Sequence, residues 1–237
     1  MRDKQQELFY KNEAKPFLKW AGGKGQLIEQ IKEYIPKQLK KDKFTYIEPF
    51  VGSGAILFWM LEKFPNLEKA IINDINSDLT NCYLTIKNDV NHLIKILKKC
   101  EIEYHDFSEN HELRKKYYYA KRELFNLRNS NQTTQSALFI FLNRTCFNGL
   151  YRVNRDNKFN VPIGSYKKPT ICFEENLLNV SDILQKVKIL NEDYTATLKY
   201  ANESTFFYFD PPYKPLSNTS SFNSYAKDEF NDAEQIR

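Results

Sequence analysis

The sequence predicts an α/β fold: a parallel sheet with flanking helices, interrupted by a helical insert that carries a basic β-hairpin. Three observations predict it. A strand–helix–strand unit stands near the N-terminus. Two more strands stand near the C-terminus. Between them lies a long helical stretch that ends in an alternating, positively charged segment.

The first strand is "TYIEPF", Thr45 to Phe50, apolar and closed by a turn. "GSGAILFWMLEKF" follows as a helix with a glycine-rich entry. "KAIIND", Lys69 to Asp74, is the second strand, and a helix begins at about Ser77. Two strands joined by a helix imply parallel pairing. From about Asn88 to Cys146, "VNHLIKILKKC", "ELRKKYYYAKRELFNLR" and "TQSALFIFLNRTC" place apolar residues at helical spacing. "NGLYRVNRDNKFNVPIGSY" then alternates around the turn "NRDNK", the pattern of a hairpin. "KVKILN", Lys186 to Asn191, and "TFFYFD", Thr205 to Asp210, are the last two strands, with a short helix between them.

Composition excludes several classes. The chain of 237 residues is 41% hydrophobic, enough for a substantial core. It holds no apolar run of the length of about 18 residues that a membrane span requires. The charged N-terminus is not a secretory signal. Cys82, Cys100, Cys146 and Cys172 lack metal or disulfide spacing, and His92, His105 and His111 are equally scattered. A cytoplasmic protein with reduced thiols and no metal is expected. Net charge is +5, and all of it lies between Phe141 and Lys168. That stretch holds Arg144, Arg152, Arg155, Lys158, Lys167 and Lys168 against Asp156 alone, and the remaining 29 basic residues balance 29 acidic ones. Such a confined excess suits a polyanion, or a solvated loop.

Ligands of open α/β sheets sit beyond the carboxyl ends of the strands. The first such end is "EPFVGSG", where Gly52 and Gly54 let backbone approach a ligand at a helix N-terminus. Leu57 stands where a dinucleotide fingerprint needs a third small residue. Asp74 lies at the second end, 20 residues after Gly54. It either accepts hydrogen bonds from ribose hydroxyls or caps the helix that follows. Asp193 and Tyr194 follow the third strand and could bind and stack a purine. The fourth end is "DPPY". Pro211 and Pro212 remove two N–H donors, leaving the Asp210 carboxylate and prolyl carbonyls as an edge of acceptors beside the flat face of Tyr213. That edge could accept both hydrogens of an exocyclic amine and aim its lone pair at an electrophile. It could also be a plain Asp-Pro turn.

These residues resemble one family. "DPPY" after an apolar strand is the catalytic motif of amino-group DNA methyltransferases. "FLKWAGGKGQL", "YIEPFVGSGA" and "NDINSDL" are similar to that family's cofactor motifs, and "FNGLYRVNRDNKFNVPIGSY" is similar to the hairpin of its Dam-like branch, which methylates adenine N6 in GATC. The motifs in this order identify the chain as an α-type, Dam-like member of the D12 class. The resemblance implies a Rossmann-like S-adenosylmethionine-dependent methyltransferase sheet over residues 1–80 and 168–237, with a target-recognition insert over 81–167. It implies that Trp20, Lys24, Phe50, Gly52, Gly54, Asp74, Asp193, Tyr194 and Asp210 hold S-adenosylmethionine. Asp210, Pro211, Pro212 and Tyr213 would hold the target amine.

On the hairpin, 147–166, the resemblance makes Arg152 a reader of guanine, with Lys19 a second base reader, and places Asn154 at the DNA. Phe147 and Leu150 become wedges that help extrude the adenine, which cannot react inside the duplex. Pro162 would touch a pyrimidine. Arg144, Arg155, Lys158, Lys167 and Lys168 are phosphate contacts or solvated charges. The expected partner is double-stranded DNA. The family also admits a cognate restriction endonuclease for the same site. Family members continue past "DPPY" with further strands, whereas this chain stops 27 residues after Asp210. It is therefore expected to lack the C-terminal strands, which leaves a rival reading as an inactive DNA-binding relative. Methylation of RNA or of a protein amide is a second rival.

Overall fold

The computed structural model describes residues 13–20 and 27–212. Its sheet is parallel, in the order β3-β2-β1-β4, where β1 is Phe44–Glu48, β2 Leu67–Asn73, β3 Val187–Leu190 and β4 Thr205–Phe207. Alternate residues of a strand face opposite sides, and here both sides are covered. Tyr46, Ala70 and Ile72 pack into the main core, while Ile47, Ile71 and Leu190 form a smaller cluster with Tyr200 and Phe207 on the other face. The parallel arrangement brings the carboxyl ends of all four strands to one edge. β1, β3 and β4 are shorter than their expected stretches, because the last residues turn off the ladder into that edge, whereas β2 begins two residues earlier, at Leu67.

The helices are α1 (Ile28–Tyr34), α2 (Ala55–Lys63), α3 (Ser77–Asp106), α4 (His111–Leu127), α5 (Gln132–Thr145) and α6 (Glu174–Leu184). α2 makes the crossover from β1 to β2, and Ile56 to Leu61 are all buried. The two helices expected after β2 are both present and meet at a kink, where Asp89 leaves helical geometry (φ −146°, ψ 38°). α3 runs 30 residues with a single non-helical residue, Asp89, whose carboxylate accepts from the Thr133 hydroxyl at 2.6 Å. α3 thus crosses residue 81, where the insert was expected to begin, and residues on both sides of that point share one core. α5 is buried almost all round and packs mainly on α3, as a central helix must. α6 was not foreseen. It lies on α3, which the Lys87 Nζ bond to the Val187 carbonyl (2.7 Å) further ties to β3. The helix expected between β3 and β4 is a 3₁₀ segment, Tyr194–Tyr200. No helix of the described residues is long and apolar enough to cross a membrane.

The hairpin forms with little ladder of its own. Its strands meet at one isolated bridge, Val153 with Phe159, and Cys146 bridges Ile163 beyond it. The reason lies in what covers it. Tyr151, Val153, Phe159 and Val161 are buried against the helices. The backbone polar groups they bring in are satisfied by side chains instead: Tyr118 Oη donates to the Val161 carbonyl at 2.9 Å, and Asn126 Nδ2 to the Phe159 carbonyl at 3.0 Å. A row of rings, Phe125, Phe139 and Tyr151, runs from α4 through α5 to the hairpin, with centroids 6.0 and 5.1 Å apart. Truncating such a buried ring costs about 3–5 kcal/mol.

Candidate active site at the carboxyl edge of the sheet

The loop after β1 is fixed by its neighbours. Gly52 (φ +49°) and Gly54 (φ +75°) occupy the left-handed region that favours glycine. The Gly52 N–H donates to Asp74 Oδ2 at 3.1 Å, and Tyr83 Oη donates to the Gly52 carbonyl at 3.0 Å. A Cβ on Gly54 would lie 2.5 Å from Tyr83 Oη, and one on Gly52 would press 3.2 Å from the Trp20 indole. Asp74 Oδ1 accepts from the Asn76 N–H at 2.9 Å. The capping alternative for Asp74 falls away, because Asn76 caps α3 through the Leu79 N–H at 3.1 Å. Burial pushes the Asp74 carboxyl up to about 6, opposed by the Asn76 and Gly52 N–H groups. A half-buried carboxylate at this edge can accept hydroxyl donors from a ligand.

Two asparagines that the sequence did not single out lock the neighbouring loops together. Asn73 Nδ2 donates to the carbonyls of Pro49 (3.1 Å) and Glu192 (3.0 Å), and its Oδ1 accepts from the Glu192 N–H at 3.0 Å. Asn191 Nδ2 donates to the Asp74 carbonyl at 2.8 Å. The Asp193 carboxylate caps the 3₁₀ segment, accepting from the Thr195 N–H at 3.0 Å and from its hydroxyl. Tyr194 lies against Phe50 with ring centroids 5.3 Å apart, and Phe209 joins them at 6.5 Å from Phe50. Phe50, Tyr194 and Phe209 make an aromatic surface beside Gly52 and Asp74. Phe209 was missed, although its place one residue before Asp210 could have drawn notice.

The fourth end brings a carboxylate to the same edge. The Tyr208 N–H donates to the Ile47 carbonyl at 2.9 Å, extending the β1–β4 pairing towards half-buried Asp210 and Pro211. Beneath it lies Glu48, at the end of β1 and only 3% exposed. Tyr46 Oη donates to Glu48 Oε2 at 2.8 Å. Burial pushes this carboxyl up to about 8, the charges of Asp210 and Asp74 add to the effect, and the bonds from Tyr46 and the Leu57 N–H oppose it. Glu48 was not among the expected residues. The signal available was an acid enclosed by apolar neighbours in "YIEPF". Lys24 and Tyr213 lie outside the described residues.

Trp20 stands between this edge and the hairpin, stacked on Tyr151 at 5.5 Å with an interplanar angle of 20°. Asn143 in α5 holds Lys19 through both backbone groups, at 2.8 and 2.7 Å, and donates to the Gly149 carbonyl at 2.8 Å. Lys19 Nζ lies over the Tyr166 ring at 4.3 Å. Phe147, Leu150 and Pro162 are exposed beside it. Arg152 Nε donates to Asn160 Oδ1 at 2.7 Å, which fixes the plane of the guanidinium. The Asn154 side chain is used by the turn, its Oδ1 accepting from the N–H groups of Asp156 (3.1 Å) and Lys158 (2.8 Å). Arg155, Lys158, Lys167 and Lys168 are exposed, and Lys167 pairs with Glu109 at 3.2 Å. Arg144 differs from the rest. It donates from Nη2 to the Phe17 carbonyl at 2.8 Å, and burial lowers its pKa, so it belongs to the interior rather than to a phosphate-binding surface.

Comparison with known proteins agrees with this geometry. The family model for D12 class N6 adenine-specific DNA methyltransferases matches residues 20–237. The Type II methyltransferase M.MjaIII of Methanocaldococcus jannaschii is 53% identical over 229 residues, which cover 95% of this chain and 78% of that protein. The DNA adenine methylase of Haemophilus influenzae is 39% identical over 99% of this chain and 76% of its own length. The DNA adenine methylase of Escherichia coli is 34% identical over 90% and 70%. A parallel sheet with glycines and carboxylates at one edge, beside a basic hairpin, is thus found in a chain that belongs to the D12 class of N6 adenine-specific DNA methyltransferases.

Proposed function

We propose that this enzyme transfers a methyl group from S-adenosylmethionine to N6 of an adenine in double-stranded DNA, at GATC, after turning the adenine out of the helix. The observation that carries the reading is the meeting of Asp74, the Gly52–Gly54 loop and Asp210 at the ends of the adjacent strands β2, β1 and β4. The residues fit the cofactor. The missing Cβ atoms of Gly52 and Gly54 leave the loop free to lie against Trp20 and Tyr83, and the half-buried Asp74 carboxylate can accept ribose hydroxyls. Phe50 and Tyr194 offer rings for the adenine, with Asp193 beside them, and Lys24 would meet the carboxylate. When bound, S-adenosylmethionine supplies an electrophilic methyl on a sulfonium.

The chain's own groups do the rest. Asp210 and the carbonyl of Pro211 accept the two N6 hydrogens and favour a pyramidal nitrogen whose lone pair points at the methyl. Pro212 keeps that edge rigid, and Tyr213 stacks on the base. Transfer would leave the cofactor as S-adenosylhomocysteine, and the Asp210 carboxylate, already bonded to the amine, would be the acceptor for the proton that the methylated nitrogen gives up. Arg152 reads a base edge, Phe147 and Leu150 wedge the stack, and Pro162 and Asn154 line the same face, all within an insert over 81–167, while Lys19 reads a second base edge from the N-terminal segment. The Type II name of the M. jannaschii relative supports a cognate endonuclease for the same site. Tritiated methyl transfer to GATC and GAAC duplexes, with hydrolysis to identify the modified base, tests the reading. N6-methyladenine in GATC alone is expected, and Asp210→Ala is expected to abolish it. Label in RNA or protein, or none in any duplex, would overturn it.

A further inference from the structure

Asp78 carries a connection that neither the cofactor contacts nor the base readers explain. It sits in the first turn of α3, four residues after Asp74, and is buried. One carboxylate oxygen is held by Arg128 Nη1, the other by Tyr151 Oη at 2.8 Å. Arg128 is the left-handed cap of α4 (φ 55°), and its guanidinium lies over the Phe125 ring at 4.3 Å. Its second terminal nitrogen donates to the carbonyl of Asn157 at 3.2 Å, in the turn of the hairpin, where Asn157 is itself left-handed (φ 57°). The Tyr151 ring stacks on Trp20, and Trp20 lies against Gly52. One carboxylate therefore joins the root of α3, the tip of the hairpin and, through two stacked rings, the loop that borders Asp74.

A buried pair of this kind is weak evidence for stability, since apolar residues of similar volume often serve as well. What it supplies is a fixed geometry. We propose that Asp78 is a positioning residue which couples the hairpin to the cofactor edge, so that cofactor and duplex each bind more tightly when the other is present. The inference rests on the functional reading above. Binding linkage is reciprocal, and couplings between sites commonly amount to about 5–150-fold.

The experiment measures affinity for a labelled GATC duplex with and without saturating S-adenosylhomocysteine, in wild type and in Tyr151→Phe. The variant keeps the ring on Trp20 and loses the hydroxyl bond to Asp78. The wild-type ratio is expected to be about fivefold or more, and to fall below about twofold in the variant. A purely structural role would lower the melting temperature and both affinities while leaving the ratio unchanged. Trp20 emission, read in a Trp59→Phe background, is expected to change on duplex binding and to lose that response with Tyr151→Phe. Should Tyr151→Phe not fold, Asp78→Asn carries the same comparison. Both ligands binding wild type with a ratio of one, or with a ratio the variant leaves intact, would overturn the inference alone. Failure of wild type to bind either ligand would overturn the functional reading and this inference with it.

Discussion

Replacing Glu48 with glutamine removes a proton from the interior while keeping the size of the side chain and a carbonyl that can accept from Tyr46. Glu48 has an ordinary value of 4.5 when exposed and about 8 in the folded protein. The folded state therefore holds the proton more tightly than the unfolded chain. Stability linked to it is fully present below 4.5, where both states are protonated, and is lost as pH rises towards 8. One pH unit in that window is worth about 1.4 kcal/mol, so wild type should lose roughly 3–4 kcal/mol relative to Glu48→Gln between pH 5 and pH 8. Urea denaturation followed by circular dichroism at pH 5, 6, 7 and 8 measures the difference. The two proteins should be nearly equal at pH 5 and diverge steadily, with the variant the more stable. Titration of the surface cancels in the comparison, as does most of that of Asp74. A difference that stays flat with pH, or that grows in favour of wild type, would refute the reasoning. It would mean that Glu48 is ionised throughout and balanced by the Tyr46 and Leu57 donors.

Burial raises the Asp74 carboxyl to about 6, so if its carboxylate accepts the ribose hydroxyls as proposed, S-adenosylmethionine affinity should fall as pH drops through 6, by up to about tenfold per unit once the group is protonated. Calorimetry from pH 5 to 7 checks this, and Asp74→Asn should flatten the profile. Gly54→Ala combines a φ of +75° with a Cβ 2.5 Å from Tyr83 Oη; a loss of at least about 1–2 kcal/mol is expected by thermal melting, with partial recovery when Tyr83→Phe is added. Arg152→Ala should weaken GATC binding by about 1–3 kcal/mol and relax the choice of guanine. Lys158→Ala should weaken all duplexes alike and reduce the salt slope by about one. Competition binding with single-base variants at fixed salt separates these last two outcomes.

The parts of the site that were readable in the sequence are those whose signal is local. Apolar runs closed by glycine or an acid marked the strands, and the spacing from Gly54 to Asp74 marked two loops that the structure joins by a direct hydrogen bond. What was not readable depends on contacts far apart in the chain. Arg144 counted towards the basic excess, yet it binds a carbonyl 127 residues away in the interior. "NLLNVSDIL" has helical spacing of its own, but what makes α6 part of the core is its packing on α3, far earlier in the chain.

Glu48 and Asp78 show why acids are the hardest residues to assign from sequence. Each stands in a motif whose neighbours were already assigned, Glu48 before Gly52 and Gly54, and Asp78 after Asp74. In sequence Glu48 is one more strand residue and Asp78 one more helix residue. Burial separates them from the solvated acids, and what then meets the buried group comes from far along the chain: partners 50 and 73 residues from Asp78, and the charges of Asp210 and Asp74 near Glu48. The same desolvation has opposite outcomes. Asp78 has a guanidinium and a phenol on its two oxygens, so its charge is met and its position is fixed. Glu48 has a phenol and one backbone N–H but two carboxylates nearby, so its charge is opposed and it keeps a proton. One acid therefore holds geometry across the molecule, while the other makes its stability respond to pH.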